Sequence, residues 1–79
     1  MTQLAQLVEV NWKPLERLFS AEECACFMYV GRSGDIELYK HRETRHYLNV
    51  HALSGEFYLY GNSTYRKVSK AAALAYVFG

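Results

Sequence analysis

Residues 36–51, IELYKHRETRHYLNVH, hold all three histidines of the chain, three of its nine Lys and Arg residues and two of its seven tyrosines. The stretch alternates. Ile36, Leu38 and Lys40 fall on one side of an extended chain, and Glu37, Tyr39 and His41 fall on the other. RET at 42–44 is polar and short, as a hairpin loop should be. Beyond it His46, Leu48 and Val50 alternate with Arg45, Tyr47, Asn49 and His51. The spacing predicts two antiparallel strands with one apolar and one polar, aromatic side.

The pattern continues on both flanks. Downstream, LSGE turns at Gly55, EFYLYG sets Phe57 and Leu59 against Tyr58 and Tyr60, and GNS turns again before TYRKV, a short fifth strand. Ser69 suits an N-cap, and KAAALAYVF at 70–78 is strongly helical, with Leu74, Val77 and Phe78 on one stripe. Upstream, CFMYVG reads as a strand that RSGD turns into Ile36. Leu15, Leu18 and Phe19, joined by Trp12, make an apolar helical stripe with Pro14 in its first turn and Asn11 as its cap. SAEE at 20–23 has the form of a capping box, which starts a second turn at Ala21. Leu4, Leu7 and Val8 suit either a short helical face or an extended segment. No internal repeat or linker stands out.

Strands that follow one another through short turns, with helices at both ends, predict an α+β fold. It is an antiparallel four- to five-stranded β-meander with an N-terminal and a C-terminal helix packed on one face, in a single domain spanning residues 1–79. Ile36, Leu38, Leu48, Val50, Phe57 and Leu59 are expected to face the helices and meet Leu15, Leu18, Leu74, Val77 and Phe78. With 79 residues, such a chain buries only about 60–65 % of its unfolded surface. Seven tyrosines exceed what that thin core hides, so some must lie at the surface or at an interface.

Net charge is +1, too small to imply an electrostatic partner, but its distribution is uneven. The first 39 residues carry three cations against six anions, and the remaining forty carry six against two. Cys24 and Cys26 are one residue apart, poorly placed for a disulfide, and are read as reduced thiols of a cytoplasmic protein with no role assigned. The N-terminus lacks the features of a signal peptide, and no stretch approaches the roughly 18 apolar residues of a membrane span.

Chemical motifs are weak. By parity His41 and His51 share a face and His46 lies on the other, which disfavours a three-histidine metal site. Cys-x-Cys is not a usual structural-zinc spacing. GRSGD lacks the Lys-Ser/Thr of a phosphate loop, and NST at 62–64 matches a glycosylation pattern without a secretory context. No nucleophile, base and acid are held together by a motif. Neither enzymatic activity nor a cofactor or metal is expected.

What remains is the sheet side opposite the helices. Tyr39, His41, Arg45, Tyr47, His51, Tyr58 and Tyr60 collect there as a contact set, with the tyrosines as flat anchors and the His and Arg residues as polar partners. The favoured expectation is protein–protein binding through this face, with a second copy or another protein. The alternative is nucleic-acid binding, in which exposed aromatics stack bases while Lys40, Arg42, Arg66 and Lys67 contact phosphate. The meander and helix of residues 35–78 resemble, in topology, small DNA-binding domains that lay three strands in the major groove. That likeness implies a nucleic-acid role and assigns no residue.

Overall fold

A computed structural model describes residues 9–79. The reading of residues 2–8 lies outside the described residues. Two short helices come first, α1 (Lys13–Glu16) and α2 (Ala21–Cys24). Pro14 sits in the first turn of α1, where its missing N–H costs nothing, and the Asn11 side chain accepts from the Lys13 amide at 3.1 Å. Ser20 caps α2 through a reciprocal capping box with Glu23, so the chain makes two helices.

Five strands follow: β1 (Phe27–Ser33), β2 (Ile36–His41), β3 (Tyr47–His51), β4 (Phe57–Gly61) and β5 (Thr64–Val68). They form one antiparallel sheet in sequence order. The C-terminal helix α3 (Lys70–Phe78), capped by Ser69, packs on β3 and β4. The fold is therefore α+β, a meander with helices on one face. Leu15, Phe27, Tyr39, Leu48, Val50, Phe57, Ala73 and Val77 form its core, with Trp12, Leu18, Phe19 and Leu74 packed against them. Among the described residues, no helix is long and apolar enough to cross a membrane.

The decisive detail is the register of β2 on β3. A three-residue loop at 42–44 would set His41 opposite Arg45 and Leu38 opposite Leu48. Instead Lys40 pairs with Tyr47, Tyr39 with Leu48 and Glu37 with Val50. A shift of one residue moves every side chain of a strand to the other face. Glu37, Tyr39 and His41 therefore lie under the helices, while Ile36, Leu38 and Lys40 lie outside. This corrects the sequence-based placement of Ile36 and Leu38 in the core. It also moves His41 to the face opposite His51.

The loop itself explains the shift. The His41 amide donates to the His46 carbonyl at 2.9 Å, and Arg45 takes the left-handed conformation (φ 68°). His41 Nδ1 accepts from the amides of Glu43 and Thr44, both at 3.2 Å, and Thr44 Oγ1 accepts from the His46 amide. The β3–β4 loop repeats the arrangement ten residues later. His51 Nδ1 accepts from Leu53 and Ser54, Ser54 Oγ accepts from Glu56, and Gly55 has φ 75°. The spacing His-x-x-Ser/Thr is thus a short structural repeat. His46 acts differently, because its Nδ1 donates to the Tyr76 carbonyl at 2.8 Å and its ring stacks on Tyr76 at 4.6 Å. Thr44 Oγ1 donates to the Val77 carbonyl at 2.6 Å, so this loop caps the last turn of α3.

Polar groups turned inward must be satisfied. Glu37 is 1 % exposed and accepts from Tyr29 Oη at 2.6 Å, Arg32 Nε at 2.9 Å and Asn11 Nδ2 at 3.3 Å. Tyr39 donates to the Asn11 carbonyl at 2.6 Å, and Trp12 packs on Tyr39 and Tyr29. Burial pushes the Glu37 carboxyl up, but the three donors and the Arg32 charge outweigh it and hold it below the ordinary carboxylate value. Burial, then the bond to Glu37 and its charge, push the Tyr29 phenol up to about 12.

Two outcomes follow from this register. Leu48→Ala should cost about 2–5 kcal/mol and Leu38→Ala about 1 kcal/mol or less in urea unfolding, whereas equal costs would contradict the phase of β2. Glu37→Gln should cost about 1–3 kcal/mol at neutral pH. Because the folded carboxyl titrates below its unfolded value, its contribution is complete above the unfolded value and fades as pH falls through the folded one. The stability gap between wild type and Glu37→Gln should therefore narrow in acid, as followed by urea unfolding across pH.

Candidate functional site

The helices cover one side of the sheet and leave the other open. By the pairing, that outer side carries Leu38 and Lys40 of β2, Tyr47, Asn49 and His51 of β3, and Tyr58 and Tyr60 of β4. Tyr65 and Lys67 of β5 join them opposite Tyr60 and Tyr58. Tyr60 is 61 % exposed and its ring lies 4.8 Å from that of Tyr65, while Tyr47 is 37 % exposed. His51 and Tyr58 are half-buried with ring centres 6.4 Å apart.

Two members of the expected contact set do not reach this face. Tyr39 is 0 % exposed and His41 6 %, and both lie under the helices, where His41 packs edge-on to Phe27 and Phe78. The one-residue register shift is the reason. Arg45 is exposed at the left-handed position of the β2–β3 loop, beyond the strands.

The four basic residues disperse as well. Lys40 stays beside the tyrosines, its Nζ 5.6 Å from the centre of the Tyr47 ring. Arg42 turns back to the helices, its Nε donating to the Ala25 carbonyl at 3.1 Å. Arg66 pairs with Leu59, in the phase of β4 that faces the helices. Lys67 meets Glu56 at 2.7 Å, and Glu56 also accepts from Ser54 and Tyr58. Lys67 holds the Glu56 carboxyl low, and Glu56 holds the Lys67 ammonium high.

A groove of about 420 Å³ opens among the outer-face tyrosines. It runs from Val30 across Leu38, Tyr47 and Asn49 to Tyr60 and Tyr65, and Leu59 of β4 and Tyr76 of α3, both from the helix side, complete its lining. Two irregularities open it. Val30 is the extra residue of a bulge between Tyr29 and Gly31, and it is 46 % exposed. The β3–β4 ladder holds two residue pairs, against five in β2–β3 and five in β4–β5. The β4–β5 hairpin is thus free to stand away from Tyr47. Val30, Leu38, Asn49, Leu59, Tyr65 and Tyr76 were missing from the sequence-based contact set. An outward Leu38 needed the true register, while Tyr65 was legible from its place two residues after the turn at 62–63.

Asn49 is 2 % exposed. Its Nδ2 donates to the Tyr58 carbonyl at 3.1 Å, and its Oδ1 has no partner, alone among buried side-chain polar atoms of the described residues. A second, shallower hollow of about 310 Å³ lies by Trp12, Cys24, Phe27 and Arg42. Burial, with the nearby Glu16 and Glu23 carboxylates, pushes the Cys24 thiol up, which makes it a poor nucleophile. Cys26 is exposed, and both thiols are free. Among the described residues no three His, Cys, Asp or Glu side chains converge as metal ligands. Compared with protein-family models, curated proteins and solved structures, the chain matches none.

Proposed function

We propose that this protein is a non-enzymatic binding module that docks a partner protein on the outer face of its sheet, around Tyr47 and Tyr60. The observation that carries the reading is the open, aromatic groove between the outer tyrosines of the sheet and Tyr76 of α3. Tyrosine is enriched at binding hot spots because it contributes a large flat surface at little entropic cost. The polar groups in the groove are phenols and one amide, which suit recognition better than proton transfer near neutral pH. Phosphate recognition draws less support, because Lys40 is the only one of the four basic candidates left unpaired beside the tyrosines. Two free thiols fit a reducing, cytoplasmic setting.

Selection of a random peptide library against the protein tests this reading. It should enrich apolar, aromatic peptides that compete with one another. Tyr47→Ser with Tyr60→Ser should weaken their binding at least about tenfold while the melting temperature holds. Failure to enrich any peptide, or peptides indifferent to both changes, would overturn the proposal. Sedimentation across a concentration series reports whether the partner is a second copy. Retention of nucleic acid that weakens with salt and depends on Lys40 would favour the phosphate reading instead.

A further inference from the structure

We infer that an extended segment of another protein, carrying an acidic residue, enters the cleft where β3 and β4 part and pairs its backbone with Tyr47 and Tyr60. This inference rests on the protein-binding reading above and states how the partner is held.

The ladder between β3 and β4 sets the chemistry. The His51 amide donates to the Glu56 carbonyl at 2.8 Å. In an antiparallel sheet the bonded pairs recur at every second residue. Asn49 with Tyr58 comes next, and Tyr47 with Tyr60 would follow, but the ladder stops before that pair. On the far side of β3, the bond from the His41 amide to the His46 carbonyl gives His46 and Leu48 to β2. On the far side of β4, the two-residue turn at 62–63 gives Gly61 and Leu59 to β5. The amide and carbonyl of Tyr47 and of Tyr60 are thus aimed into the gap, and among the described residues nothing pairs with them there.

The gap passes through the sheet. A hollow lying on an intact sheet is lined by one phase of its strands. This groove is lined by Leu38, Tyr47 and Tyr60 of the outer phase and by Leu59 and Tyr76 from the helix side. Its volume of about 420 Å³ suits a few residues of chain and not a folded domain. A helix satisfies its own backbone and leaves the four groups unmet, whereas an extended strand presents the matching donors and acceptors. Its alternate side chains lie between the outer tyrosines and against Leu59 and Tyr76. The extended segments of this chain that the structure describes are strands of its own sheet, which points to another protein as the source.

Charge names one of the inserted side chains. The ion pairs of the described residues are Arg32 with Glu37 and Lys67 with Glu56, which leaves Lys40 without an acid. The Lys40 ammonium lies 5.6 Å from the centre of the Tyr47 ring, beside the cleft, and exposed Arg45 stands two residues before Tyr47. A carboxylate on the inserted segment, in the row of Lys40 and Tyr47, meets this charge.

The test is hydrogen exchange and NMR titration of the full chain with capped hexapeptides of alternating threonine and valine that hold one central glutamate. In the free protein the Tyr47 and Tyr60 amides should exchange at least about tenfold faster than those of Asn49 and Tyr58, and the peptide should slow both. Backbone N-methylation of the peptide should weaken binding about tenfold. Glutamine in place of its glutamate should weaken binding about threefold, a loss that vanishes in Lys40→Gln. Tyr47 and Tyr60 amides already protected in the free protein would overturn the inserted strand. Glutamate and glutamine forms that bind alike would overturn the acidic residue. Protection of both amides that grows with protein concentration, without peptide, would make the occupant a second copy and overturn the assignment to another protein. Library-selected peptides that need Tyr47 and Tyr60 but tolerate N-methylation would overturn the strand and leave the protein-binding reading standing. No effect of the designed peptides, with none enriched from the library, would overturn both.

Discussion

The pairing of Tyr39 with Leu48 governs the rest of the molecule. It is set by a loop of modest means: an imidazole that accepts two backbone amides and one residue held at positive φ. With that loop the chain reverses over residues 41–46, and β2 meets β3 one residue out of the phase a shorter loop would impose. Because strand side chains alternate, the consequence is all or nothing. Three polar residues of β2 enter the core, and two aliphatic ones leave it.

That exchange has a cost on each face, and each is met locally. Inside, Glu37 relies on donors from Tyr29, Arg32 and Asn11, Tyr39 on the Asn11 carbonyl, and His41 on its own loop. These bonds draw the segment before α1 over the edge of the sheet and bring Trp12 onto Tyr39. Outside, Leu38 becomes the apolar base of a groove that polar residues would otherwise have filled. The buried polar network and the exposed apolar groove are two results of one register.

Much of this was legible from residue order. Alternation located β2, β3 and β4, residue type and turn signals located β1 and β5, the Gly34 and Gly55 turns lay where expected, and the caps at Ser20 and Ser69 formed. Parity was correct for Leu48, Val50 and Phe57, whose apolar phase agrees with their burial. It failed for β2, where the apolar set points outward and the polar set inward. The donors that make Glu37 and Tyr39 tolerable inside include groups of Asn11, 26 and 28 residues away, which no local pattern reports. For the site, Tyr47, Tyr58, Tyr60 and His51 were placed on the right face. Tyr39 and His41 were misplaced for the same reason as Leu38.

The outer face inherits its character from this arrangement: tyrosines on three strands, one buried amide with a spare acceptor, and little unpaired charge. The most direct measurement is the set of cross-strand nuclear Overhauser contacts between the backbones of residues 36–41 and 47–51. The account expects Tyr39 opposite Leu48 and Lys40 opposite Tyr47. Contacts that place Leu38 opposite Leu48 would contradict it, return Tyr39 to the surface and remove the base of the groove.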